Sequence, residues 1–281
     1  MSRIATIGFF DGVHLGHQYL LHQLRETGLK LGLTPAVVTF REHPKLVLTG
    51  DCPPLITTTD ERLALLKEYT SHLICLDFRS VQSLTAEAFM RKLKQEYEVE
   101  VLLMGYDHHF GSDRLAGIDE YIARGREAGV QVLLQEQAPE GAVSSTKIRH
   151  ALTEGDIVEA NRLLGHPYSL SGTVVHGRGL GRQLGFPTAN ILTSPYKLIP
   201  ASGVYLTEVN GRRAVTNIGK NPTVGNAETT IETHIPDFSG NLYDELLTLT
   251  FLRRIRPEQR FPSLDALRIQ IAQDIQSCQF S

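Results

Sequence analysis

Strand-like and helix-like runs alternate through the first half of the chain, and no other feature narrows the choice of fold as much. Residues 4–8 form a short apolar run ending in glycine, and Leu20, Leu21, Leu24 and Leu31 follow at helical spacing. Residues 36–40 read as a buried strand, and Thr59 opens a helix containing Leu63, Leu65 and Leu66. Residues 73–76 are again strand-like and 85–97 helical, and the β-rich runs 99–104 and 130–134 flank a helical stretch at 121–128. Such β-α-β order predicts a parallel sheet covered by helices. Ligands of such sheets bind beyond the C-terminal strand ends. The segment Gly8-Phe9-Phe10-Asp11-Gly12-Val13-His14-Leu15-Gly16-His17 is expected at one such end, leading into a helix N-terminus.

The pattern then changes. Ser144 to Arg149 opens a helix, residues 156–164 form another, and Gly165-His166-Pro167 supplies a stop signal. Beyond it, short β-rich runs at 173–176, 203–209, 214–218, 231–235 and 246–252 recur at turn-like intervals, which predicts a small β-barrel. Leu264, Leu267, Ile271 and Ile275 mark a terminal helix. With 281 residues the chain is long enough for two domains. The boundary is expected at 166/167, giving domains 1–166 and 167–281, each burying its own core.

Composition excludes several classes. Net charge is −3, so no general basic footprint points to nucleic acid. No run approaches a membrane span, and the first residues lack the apolar core of a signal peptide. Cys52, Cys75 and Cys278 have no CxxC or metal spacing. These features lead to the expectation of a soluble cytoplasmic protein; small-molecule partners and a monomer or weak homo-oligomer are expected without support from composition.

Two constellations carry chemistry. In His14-Leu15-Gly16-His17, two imidazoles flank a helix start, where free N–H groups and the helix dipole favour anions. Such a pair is also compatible with a structural role or with metal ligation. Ser144-Ser145-Thr146-Lys147-Ile148-Arg149 adds three hydroxyls at a helix N-terminus and a guanidinium one turn on, more than one N-cap requires. Together the two elements resemble the signature pair of the HxGH nucleotidyltransferase superfamily, which is Rossmann-like. That resemblance implies that His14, His17 and Arg149 are catalytic and that Gly8, Phe10, Asp11, Gly16, Ser144, Ser145 and Thr146 bind nucleotide. Thr39-Phe40-Arg41-Glu42-His43-Pro44 and Met104-Gly105-Tyr106-Asp107-His108-His109-Phe110-Gly111 are similar to the corresponding segments of bacterial FAD synthetases. In that family an aromatic residue usually occupies the position of His108, and asparagine is frequent at that of Phe9. The resemblance implies flavin contacts by His43, Pro44 and Asp107.

The second constellation is a glycine-rich segment, residues 172–182, running into Gly185-Phe186-Pro187-Thr188-Ala189-Asn190. It resembles the ATP-binding signature of riboflavin kinases. By that resemblance Gly177, Gly179, Gly181, Gly185 and Pro187 surround phosphates, and Thr188 and Asn190 give oxygen ligands to Mg²⁺. Asn217-Ile218-Gly219-Lys220-Asn221-Pro222-Thr223 and Ile231-Glu232-Thr233-His234-Ile235 match further elements. They imply a catalytic Glu232 and, with Arg256-Pro257-Glu258-Gln259-Arg260-Phe261, flavin contacts by Asn221, Arg256 and Phe261. By residue type alone, Glu232 reads more readily as an exposed strand residue; the resemblance reverses that preference. The chain is thus identified as a member of the bifunctional riboflavin kinase/FAD synthetase family. Riboflavin, FMN and FAD would be substrates or products, with ATP as co-substrate. The alternatives are a single-activity kinase with a degenerate first domain, and a non-catalytic flavin-binding regulator.

Overall fold

A computed structural model of the chain describes residues 2–105, 108–135, 143–222 and 227–279, without the side chains of 221, 222, 227, 228 and 279. Two compact units divide it. One comprises Met1–Pro53 with Thr58–Ser144, the other Pro54–Thr57 with Ser145–Ser281. Among the described residues no helix is long and apolar enough to cross a membrane.

The first unit is an α/β layer structure. Its strands are β1 (Arg3–Ile7), β2 (Thr34–Phe40), β3 (His72–Leu76), β4 (Val99–Met104) and β5 (Gln131–Leu134). Its helices are α1 (Leu15–Leu31), α2 (Pro44–Thr49), α3 (Thr59–Lys67), α4 (Ala86–Tyr97) and α5 (Ile118–Ala128). The strands pair in the order β3-β2-β1-β4-β5, and all four pairings are parallel. Neighbouring strand residues enter opposite cores. Ile4, Val37, Val101 and Leu103 join Leu20, Leu21 and Leu24 of α1 on one face. Ala5, Ile7, Val38 and Leu102 join Phe89, Met90 and Leu93 of α4 on the other. Burial on both faces explains why these strands read as continuous apolar runs without alternation. The strand order reverses between β1 and β4, so the loops after these two strands flank a topological switch point.

The second unit carries α6 (Ser145–Glu154) and α7 (Ile157–Leu164), then β6 (Ser169–Val175), α8 (Leu180–Gln183), β7 (Ala189–Leu192), β8 (Gly203–Val209), β9 (Arg212–Pro222), β10 (Ala227–His234), β11 (Leu246–Pro257) and α9 (Leu264–Gln279). Six antiparallel strands close in the order β10-β7-β6-β11-β8-β9. The hydroxyls of Thr207, Thr216 and Thr233, all buried, form a chain with separations of 2.7 and 2.9 Å. Cys278 and Ile275 of α9 pack on Val204, Leu206 and Val215. The barrel with a terminal helix is the architecture expected from sequence.

By compactness the units part at 144/145, whereas the sequence suggested 166/167. The reason is visible in polar contacts. Asn161 on α7 donates to Phe251 O at 2.9 Å and accepts from Tyr168 N at 2.7 Å, tying α7 to β11 and to the approach to β6. Leu152 O on α6 accepts from Ala201 N at 3.1 Å. A four-residue stretch from the first half, Pro54–Thr57, also belongs here. Leu55 exchanges backbone bonds of 2.7 Å with Tyr196 and Leu198, and buried Lys197 donates to Ile56 O at 2.6 Å. A fragment spanning residues 145–281 should therefore melt several degrees above one spanning 167–281, followed by far-UV circular dichroism. Equal midpoints would show that α6 and α7 add nothing to the barrel.

Candidate active sites

In the first unit the chain leaves β1 at Gly8, whose N–H donates to Val38 O at 3.0 Å. A Cβ on Gly8 would lie 2.8–3.0 Å from the Phe10 ring, so glycine is needed for that ring to tuck beneath the loop. Phe10 (φ 57°) and Val13 (φ 39°) both occupy the left-handed region, an uncommon state for a bulky and a β-branched residue. Strain of this kind costs on the order of 1–3 kcal/mol per residue and concentrates at functional loops. Both side chains are buried in the α1-facing core, which holds the strained turn in place.

The turn delivers His14 as the N-cap of α1. Its Nδ1 accepts the His17 amide at 3.4 Å, so the proton of a neutral ring sits on Nε2. The two imidazoles stack at 3.6 Å with an interplanar angle of 17°. Burial, then the adjacent His14 and His108, push the His17 imidazole well below the usual histidine range. At neutral pH it is an uncharged ring, and its Nδ1 is buried without a hydrogen-bond partner among the described residues. A Cβ on Gly16 would lie 3.3 Å from the His14 ring and 3.4 Å from Val143 O, so the chain entering Ser144 passes beside this glycine. Asp11 is buried at the same turn.

On the adjoining strand end, His43 caps α2, its Nδ1 accepting Lys45 N at 3.1 Å, and Pro44 takes the first helical position. The His43 and Phe9 rings form a T-shaped pair, centroids 4.6 Å apart at 72°. Thus the structure brings the 8–17 and 39–44 segments together. Ser145, Thr146 and Arg149 lie on α6 in the second unit, where Arg149 Nε donates to Pro54 O at 2.8 Å. Asp107 and the side chain of Asn221 lie outside the described residues.

In the second unit the barrel ladder sets the geometry. Glu232 on β10 stands opposite Asn190 on β7 and opposite Asn217 on β9, so three polar side chains form a row across three strands. Thr188 Oγ1 donates to Glu232 Oε2 at 3.3 Å. A Cβ on Gly177 would fall 2.5 Å from Asn190 Cγ, and one on Gly181 would fall 3.1 Å from Thr188 Oγ1. The glycine-rich loop therefore lies against the Thr188–Asn190 pair at a closeness only glycine permits. Hydroxyl, amide and carboxylate oxygens suit a hard divalent cation. Gly179 caps α8, and Gly185 and Pro187 lead out of it. Pro187 O bonds His234 Nδ1 at 2.8 Å. A cleft of about 290 Å³ opens here, lined by Arg182, Pro187, Thr188, Thr233, Phe238 and Tyr243 among others.

Arg256 is already committed. Its Nε and Nη2 grip Asp274 of α9 at 2.8–3.1 Å, and its Nη1 donates to Pro257 O at 3.2 Å. The guanidinium lies 5.6 Å from the Phe261 ring, so its clearest role in the fold is to anchor α9 beside Phe261. Sequence reading passed over Asn217, although it begins the Asn-x-Gly element. Only strand register could have placed it beside Glu232.

Fold and sites together define a two-unit transferase class: a parallel α/β unit with histidines at a helix start, followed by a barrel with a carboxylate beside hard-oxygen donors. The FAD synthetase family model matches residues 1–147, and the riboflavin kinase model matches residues 164–280. A bifunctional riboflavin kinase/FMN adenylyltransferase of Pseudomonas fluorescens is 40% identical over 97% of this chain and 90% of its own length. The Escherichia coli K12 protein of the same description is 39% identical over 96% of this chain and 90% of its own. A solved structure from Streptococcus pneumoniae, described as a macrolide-efflux protein, is 33% identical with a TM-score of 0.86, covering 99% of this chain and 94% of that one. The chain belongs to the bifunctional riboflavin kinase/FMN adenylyltransferase family.

The depressed His17 fixes a pH dependence. Its unfolded form binds a proton near pH 6.5 while the folded form resists it. Stability should therefore rise with pH up to about 6.5 and be lost progressively below it. Denaturant unfolding of the chain between pH 5 and 7 should show this slope, and His17→Gln should flatten it. An unchanged slope would place the titrating group elsewhere.

Proposed function

We propose that this chain converts riboflavin to FAD in two ATP-dependent steps. The second unit transfers the γ-phosphoryl group of ATP to the riboflavin 5′-hydroxyl. The first unit's histidine constellation serves attack of the FMN phosphate on the α-phosphate of ATP, releasing pyrophosphate. One observation carries the reading: a single chain matching both family models holds a separate polar constellation in each of two compact units.

In the kinase step Glu232 is proposed as the base that takes the hydroxyl proton as that oxygen attacks. The Thr188 hydroxyl beside it and the Asn190 amide opposite it would hold Mg²⁺, and Asn217 would orient the Glu232 carboxylate from the other side. When bound, the ion supplies charge neutralisation on the transferred phosphoryl group. The backbone at Gly177, Gly179, Gly181 and Gly185 is proposed to accept the phosphate chain. Phe261, braced by Arg256, is the proposed flavin contact, together with Asn221.

In the adenylyl step the neutral imidazole of His17 and the Nε2–H of His14 act as hydrogen-bond donors to charge developing on the α-phosphate. The reaction needs alignment and charge stabilisation more than a base. Gly8, Phe10, Asp11 and Gly16 shape the loop, His43 and Pro44 line the flavin side, and Arg149 with the Ser144–Thr146 hydroxyls is assigned to the phosphates.

Incubating the purified chain with riboflavin, ATP and Mg²⁺ and separating products by chromatography distinguishes the readings. FAD supports both activities, FMN alone supports a kinase only, and neither points to a non-catalytic flavin binder. His17→Ala should lower FAD formation by about 10²–10³ with FMN formation intact. Glu232→Gln should lower FMN formation by about 10²–10⁴ yet still adenylylate supplied FMN. Parallel loss of both activities in either variant would contradict the division of labour.

A further inference from the structure

Arg62 has no role in the chemistry assigned above, yet its setting is the most demanding of any charged residue described. It is 0% exposed. Its pKa is lowered to about 10 by burial, against the opposing pull of Asp11, so it stays cationic at neutral pH. Nε and Nη1 are buried without a hydrogen-bond partner among the described residues. A buried charge in this condition costs stability and calls for an explanation.

Three contacts give one. The guanidinium carbon lies over the Phe9 ring, 3.9 Å from its centroid. Nη2 donates to Phe40 O at 2.6 Å and, at 3.4 Å, to Arg41 O. Phe9 also meets the His43 ring in a T-shaped contact. Phe9 lies in the segment that leads to His14 and His17, while Phe40 and Arg41 precede His43 and Pro44. A single side chain therefore touches both substrate segments of the first unit. Its own placement is rigid. Thr58 and Glu61 form a reciprocal capping box at the start of α3, with bonds of 3.2 and 2.8 Å, and Thr59 Oγ1 donates to Arg41 O at 2.9 Å.

We propose that Arg62 is a positioning residue for adenylyl transfer, its guanidinium holding the 8–17 phosphate loop and the 39–44 flavin segment in one register. This rests on the adenylyltransferase reading of the first unit. The planar group is essential because one face must stack while an edge donates, which lysine cannot do. Displacement of reacting groups by about 1 Å can cost about 10²-fold in rate.

The test compares Arg62→Met, Arg62→Lys, Phe9→Leu and the Phe9→Leu/Arg62→Met double variant in the full chain. FAD formation from supplied FMN and ATP is measured per folded chain, the folded fraction being taken from circular dichroism. Riboflavin phosphorylation serves as the internal control. Arg62→Met and Arg62→Lys should each lower kcat for FAD formation about 10–100-fold, with KM for FMN and ATP within about threefold and kinase activity unchanged. The double variant should be no worse than Arg62→Met alone, since both remove the same contact. Wild-type kcat in Arg62→Lys would show that charge alone suffices and overturn the proposal. So would additive losses in the double variant, or a loss accounted for entirely by the folded fraction. Should Arg62→Met fail to fold, Arg62→Lys and Phe9→Leu decide the matter by the same criteria. If the wild-type chain makes no FAD, the functional reading falls and this role with it; wild-type FAD synthesis with unaffected variants removes the role alone.

Discussion

Barrel closure is the constraint from which the second site follows. Because β10 is paired on both edges, with β7 and with β9, the cross-strand neighbours of Glu232 are fixed by backbone hydrogen bonds. A sheet open at either edge of β10 would leave one of these neighbours to side-chain chance. In the closed form a one-residue slip of β7 would move Asn190 to the opposite face, away from Glu232. On the other side of β10, the buried threonine chain through Thr207, Thr216 and Thr233 resists a slip of β9 against β8 or β10, since those hydroxyls would lose their partners. The site is thus as rigid as the ladder that carries it.

The first site depends on a different resource. Its histidines are not delivered by a strand but by a loop that adopts left-handed conformations at Gly12 and at two residues with bulky side chains, Phe10 and Val13. The sheet supplies the anchor: both side chains are buried against α1 and its neighbouring strands, and their burial offsets the strain. The outcome is a stacked imidazole pair at a helix start in which one ring is kept uncharged by its surroundings. An uncharged imidazole keeps its N–H as a hydrogen-bond donor as pH rises, since it carries no second proton to lose.

The alternation of the first half was legible because buried parallel strands leave long apolar runs, and residues 99–104 coincide with β4 in full. β7 was not legible: four residues with only Ile191 buried carry no periodicity. Yet β7 holds Asn190, so the motif was readable where the strand beneath it was not. Short helices were missed for a similar reason, since α2 and α8 have no buried residue to set a pattern. Arg62 was invisible as a functional candidate. In sequence it is one more arginine on a short, highly charged helix, and only the fold reveals that it is fully enclosed against Phe9.

The difference between 144/145 and 166/167 has the same physical origin. Gly165 is a true helix stop, in the left-handed region at φ 75°, so the local signal at 165–167 is correct. A stop signal, however, reports where a helix ends and not which core the helix serves. That is decided by Asn161, whose amide satisfies two backbone groups of the barrel unit, and by the burial of Ile157, Leu163 and Leu164 along α7. The stretch Pro54–Thr57 makes the point more strongly. Four residues with no distinguishing composition belong to the barrel unit because Leu55 bonds on both sides of buried Lys197, whose ammonium is satisfied by the Ile56 carbonyl. A buried lysine needs such a partner. The unit that contains Lys197 must therefore recruit its acceptor from sequence more than a hundred residues away, and no reading of local pattern could have assigned those four residues to it.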